Sequence, residues 1–156
     1  MTFLQRMDCQ FAILDAMISQ WRSAKPNEIT LTDRTPIDLV GYALSAVDSY
    51  AALTPAEDER LASYLSLCNM AMGELFDRVA LLPMGKFEVN RDEDKIAGHM
   101  CFGNRMLLQT LMFGSLGQVI TLPKVYVTTL EQATVEERIM ELREFIGLTF
   151  NASLFE

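Results

Sequence analysis

The feature that most constrains the fold is the stretch opening with Thr54-Pro55-Ala56-Glu57. A threonine hydroxyl can accept the amide three residues on, a glutamate at that third position can reach back, and proline suits the first helical turn. From there Leu61, Leu65, Cys68, Met72, Leu75, Val79 and Leu82 alternate by steps of three and four, which keeps one face of a helix apolar. Pro83 and Gly85 are predicted to end it. A helix with so long an apolar stripe must be covered by other elements, so the rest of the chain is read for its partners.

The same start signals recur. Thr35-Pro36 reads as a cap followed by proline in the first turn, with Asp38 placed at the positive end of the helix dipole. This second helix has Ile37, Val40, Leu44, Val47 and Ala51 as its stripe. Asn90 and Glu93 repeat the capping logic for a fourth helix through Ile96, Met100, Leu107 and Leu111. From Met100 onward, with Phe102, Met106 and Phe113, that helix is apolar almost all round, and Gly103 is predicted to admit a close neighbour. Thr134-Val135-Glu136-Glu137 opens the last helix, with Val135, Ile139, Leu142 and Ile146 expected inward and an end within 147–151. Ahead of them all, Leu4, Met7, Phe11, Leu14, Ile18 and Trp21 form the stripe of a first helix that Lys25-Pro26-Asn27 closes.

Between the helices, residues 28–32, 86–89 and 119–127 are rich in β-branched or aromatic residues and could form a small sheet, with Pro123 confining the last to an edge or a bend. The expected fold is mainly α: one domain over 1–156, a compact bundle of about five helices with the third and fourth as its spine, and one or two short β segments. With half of its 156 residues apolar, such a chain can bury a full core without disulfides or metal.

Cys9, Cys68 and Cys101 are odd in number and set among apolar neighbours, which suits reduced thiols in a core and a cytoplasmic setting. Asp8 and Asp15 would interrupt a secretory signal. The uncharged run 106–123 is broken by Gln109, Thr110, Ser115, Gln118, two glycines and Pro123, and reads as a buried helix and a turn rather than a membrane span.

Net charge is −8, from 21 acidic and 13 basic residues, and it is concentrated. Residues 35–82 hold seven acids against two bases, and 124–156 hold six against three. Such a field repels phosphate backbones and anionic lipid, so neither nucleic acid nor membrane is expected as a partner, whereas a protein with a basic surface is favoured.

The chain carries no phosphate-binding glycine loop, nucleophile elbow or calcium loop, and no cofactor is expected. His99 is the only histidine; with Cys68 and Cys101 it lacks the paired spacing of a zinc site, and it cannot supply the two Glu-x-x-His steps of a di-iron centre. Glu74 with Asp77, and Glu141 with Glu144, place carboxylates three apart on one helix, a spacing that can present acids to Mg²⁺, but no companion pair precedes Glu74.

The functional expectation is therefore a non-enzymatic protein–protein interaction module, an inhibitor, adaptor or chaperone-like protein, acting through an acidic or apolar helical surface. Its candidate contact residues are Glu57, Asp58 and Glu59 in one acidic turn, and the apolar Phe87, Leu154 and Phe155. Ten methionines suit adaptable apolar surfaces, and the stripe of the third helix could also serve as a homodimer seam. One alternative is an all-α Mg²⁺-dependent nucleotide-processing enzyme using Glu74, Asp77 and Arg105; another is an acidic mimic of nucleic acid.

Overall fold

Four of the helices open on a threonine that closes a capping box. Thr2 with Gln5 starts α1 (Phe3–Arg22), Thr35 with Asp38 starts α2 (Pro36–Ser45), and Thr54 with Glu57 starts α3 (Pro55–Leu75). Thr134 with Glu137 starts α5 (Val135–Phe145). In each, the threonine side chain accepts a backbone amide near the helix start, and the side chain three residues on accepts the threonine amide. Two amides that the helix leaves without partners are thereby satisfied. Between α3 and α5 lie strand β1 (Arg78–Leu81), helix α4 (Phe102–Val119) and strand β2 (Tyr126–Thr129). This computed structural model describes residues 1–25, 28–47, 52–82, 102–119, 122, 124–130 and 134–147, and of 102–106 and 118–119 the backbone alone. Among the described residues the fold is mainly α, with five helices and two short parallel strands.

Among the described helices the shortest is the central one. Six of the ten residues of α2 are buried, namely Pro36, Ile37, Leu39, Val40, Gly41 and Ala43, and it packs against α1, α3 and α4. This corrects the expectation that the third and fourth helices form the spine. Few polar groups need water on α2: Asp38 is used in the cap, and Arg34 donates to the Tyr42 hydroxyl at 3.2 Å. A close approach is observed at Gly41, where a Cβ would stand 3.0 Å from Met112 Cγ; the surroundings of Gly103 lie outside what the structure describes.

Helices α1 and α3 run side by side in the same direction. Arg60 donates to Asp8 at 2.8 Å and Arg22 to Glu74 at 3.4 Å, and both pairs are 52 residues apart in sequence. Between these links Tyr64 is fully buried, edge-on to Phe11 at 5.1 Å, with its hydroxyl 3.3 Å from Gln10 Oε1. Met7, Leu14, Leu39, Val40, Ala43, Leu61 and Cys68 complete this first core, in which each fully buried large side chain contributes about 1.5–3 kcal/mol. A second core joins Ile37, Met72, Val79, Leu116 and Val125, so α2 and α3 feed both. Cys68 is buried as expected, but Cys9 faces solvent and is not a core thiol.

The third helix is shorter than its stripe. Phe76 adopts an extended backbone, and residues 78–81 pair in parallel with β2, Val79 opposite Val127. Val79 is buried either way: over four residues an apolar run satisfies the helical and the strand period alike, and cross-strand hydrogen bonds decide between them. Trp21 packs edge-on against Phe76 at 5.0 Å and holds the chain where helix gives way to strand. The partner strand begins at Tyr126, later than expected, because α4 extends through Gly114 and Gly117 to Val119. Both glycines face open space, while Leu108, Met112 and Leu116 pack inward, and that packing offsets the roughly 1 kcal/mol each glycine costs. Residues 28–32 are not a strand, and the expected segment 86–89, the helix start at Asn90 and the 148–151 part of the last helix end lie outside the described residues. Among the described residues no helix is long and apolar enough to cross a membrane.

Candidate interaction surface

Helix α5 leaves half of its apolar stripe outside. Of the four residues expected inward, Val135 is 54 % exposed and Ile139 50 %, while Leu142 and Ile146 are half-buried; Met140, off the stripe, is 59 % exposed. The inward side carries Arg138, at 4 % exposure, with Glu141 and Phe145. On a helical wheel Arg138, Glu141 and Phe145 fall within one arc, and Val135 and Ile139 lie together on another. A buried arginine together with exposed Val135 and Ile139 on one short helix is the reverse of what burial of apolar area favours.

What fixes α5 in this orientation is its C-terminal end. Arg78, from β1, donates to the Phe145 carbonyl, and its guanidinium carbon lies 5.6 Å from the ring centroids of both Tyr126 and Phe145. A cation on the last carbonyls of a helix satisfies groups the helix cannot and complements its dipole. Gly147, at φ 77°, then turns the chain out of the helix.

The fully exposed charged residues of α5 are acidic. Glu136, Glu137 and Glu144 are exposed, while of the two arginines Arg138 is buried and Arg143 half-buried. Glu137 is committed to the cap, accepting from the Thr134 amide at 3.2 Å and hydroxyl at 2.9 Å. Glu136 lies in the first turn, where the dipole favours an acid; Glu144 lies in the last turn, where it does not.

The acidic turn of α3 has a structural use. The Thr54 amide and hydroxyl donate to Glu57 at 2.9 and 2.8 Å and hold its carboxyl below the usual range, so Glu57 belongs to the cap. Asp58 and Glu59 beside it are exposed. Glu74 and Asp77 do not share a helix face, which corrects the reading of a paired acid motif. Glu74 is one residue from the end of α3 and is paired with Arg22, whereas Asp77 lies beyond the helix and accepts the Tyr126 amide through its carbonyl at 2.8 Å. Arg105 lies on the backbone of α4, and Glu141 and Glu144 both lie on α5, half-buried and exposed respectively. Phe87, His99, Cys101, Leu154 and Phe155 fall outside the described residues. Among the described residues no cluster of three or more acidic, histidine or cysteine side chains is arranged to hold a metal ion.

An open groove of about 360 Å³ runs between the end of α1, residues 28–32, the turn into β1 and Ile146. Trp21, Phe76 and Leu75 line it with Glu28, Asp77 and Arg78. It adjoins the end of α5 through Ile146, so the apolar stripe of the helix leads into a concave surface.

No protein-family model, curated protein or solved structure matches the chain.

The missed surface had one trace in the sequence. The last helix carries six charged residues against five apolar ones, so its stripe of Val135, Ile139, Leu142 and Ile146 could equally face a core or another chain.

Proposed function

We propose that this protein is a non-enzymatic interaction module that docks another protein through the outward face of α5. The observation that carries the reading is the exposure of Val135, Ile139 and Met140 on a helix that buries Arg138. Exposed single aliphatics are ordinary, but a helix that leaves two of them exposed one turn apart while it buries an arginine is stabilised by a second surface that removes them from water. Helices that insert such residues into an apolar groove bind by i, i+4 anchors, and Val135 with Ile139 has that spacing. The overall acidity supports a partner with a basic surface.

The test is capture of a stoichiometric partner from lysate by the full chain, compared with a variant carrying Ile139→Ser and Met140→Ser. Loss of the partner with an unchanged circular dichroism spectrum and melting temperature is the expected result. Capture that is untouched by these changes but abolished by Asp58→Lys with Glu59→Lys would move the site to the start of α3.

A further inference from the structure

We propose that two copies of this chain pair through the outer edge of β2, antiparallel, to make one four-stranded sheet. Among the described residues β2 has one neighbouring strand, β1. The Tyr126 amide donates to the Asp77 carbonyl and the Leu130 amide to the Leu81 carbonyl. Main-chain groups alternate in direction along a strand, so Val127 and Thr129 turn theirs to the edge away from β1. A hollow of about 530 Å³ lies along that edge. Val125, Tyr126, Val127, Thr128 and Thr129 line it one after another, with Leu116 of α4 and no residue of β1. It has room for an extended chain, and an open strand edge is what such a chain adds to.

The alternation admits few registers, because in an antiparallel pair outward residues must face outward residues. With a two-fold axis at Thr128, Val127 of each copy faces Thr129 of the other, and both pairs exchange main-chain hydrogen bonds. Thr128 meets its own counterpart, and Tyr126, 65 % exposed, meets Leu130 of the other copy. Charge selects a second copy as the occupant. Residues 125–130 are uncharged in a chain of net charge −8, so this edge brings no acids face to face. Lys124 precedes the run and Glu131 follows it, so the antiparallel arrangement sets the basic end of each strand beside the acidic end of the other. One two-fold axis makes both matches at once, and each copy covers the other's open edge. A strand of four residues on each side is a small contact against the roughly 1,200 Å² of a stable complex, so the expected dimer is reversible, half-formed at about 10–100 µM.

The experiment is sedimentation of the full chain across a wide concentration range, with circular dichroism on each variant. Thr129→Pro removes an outward amide and leaves the Tyr126 and Leu130 amides on β1. Lys124→Glu sets acid beside acid, and Lys124→Glu with Glu131→Lys exchanges the two ends. Expected is a monomer–dimer equilibrium, weakened about tenfold or more by Thr129→Pro, weakened several-fold by Lys124→Glu and recovered in the exchanged variant. A monomer at every concentration overturns the proposal. So does a dimer that Ile139→Ser with Met140→Ser dissolves while these changes leave it intact, which would place the contact on α5. The charge exchange decides even if Thr129→Pro unfolds: Lys124→Glu indistinguishable from the wild type, or an exchanged variant no better than Lys124→Glu alone, overturns the pairing.

Discussion

The Arg60 guanidinium donates to the Asp8 carboxylate at 2.8 Å across 52 residues of sequence, and its central carbon stands 4.0 Å from the Phe11 ring centroid. The same side chain thus serves as an ion-pair partner and as a lid over an aromatic ring that packs on buried Tyr64. The two roles separate on mutation. Both side chains of the ion pair are exposed, so Asp8→Ala is expected to cost less than about 1 kcal/mol. Arg60→Ala, which also uncovers Phe11, should cost about 1–2 kcal/mol, and Arg60→Lys should fall between them. Urea unfolding of the single and double variants measures the coupling; equal losses for Asp8→Ala and Arg60→Ala would remove the ring contact from the account.

The cap of the central helix offers a second test. Thr35→Ala removes the side chain that accepts the Ile37 amide and the hydroxyl that donates to Asp38 at 3.0 Å. The expected loss is about 1 kcal/mol, read from the denaturation midpoint. Thr35→Ser, which keeps both bonds, should restore most of it.

At Gly41, α2 lies close against Met112 of α4. A valine there would push into Met112, and Gly41→Val is expected to destabilise by about 1–3 kcal/mol. Pairing it with Met112→Ala should return part of that loss, a coupling that calorimetry on the double variant can measure.

The two described cysteines differ in exposure. Burial pushes the Cys68 thiol up to about 12 from its ordinary 9.0, and raises the Tyr64 hydroxyl for the same reason. Cys9 is exposed, so alkylation of the folded protein near neutral pH followed by mass spectrometry should modify Cys9 and spare Cys68. Above about pH 9 the unfolded chain loses a proton that the folded Cys68 still holds. Stability should therefore fall as pH rises from about 9 towards 12, and the slope should be shallower in Cys68→Ala. A urea midpoint that stays level over that range would count against a Cys68 thiol held protonated by the fold.

Helix starts were the most legible part of the chain, because a cap is a local device: Thr35, Thr54 and Thr134 each act within three residues of themselves. The helix end after Leu75 was not legible, since Val79 satisfies helix and strand alike and its strand partner lies far along the chain. The site was the least legible. Periodicity reports that Val135 and Ile139 share a face, but which way that face turns depends on Arg78, which grips the other end of the helix from a strand the stripe itself concealed.

The parallel pairing of β1 and β2 also orders events during synthesis. β1 is complete at Leu81, but its partner strand begins only at Tyr126, with α4 between them. An emerging chain therefore carries an unpaired strand edge until α4 has been made and has packed on α2. The paired strands are no farther apart in sequence than α1 and α3, but β2 is synthesised well after α3 is complete, so the sheet pairs after the α1–α3 region can form. Since Arg78 on that sheet orients α5, the outward face of α5 takes shape only when the rest of the fold is finished.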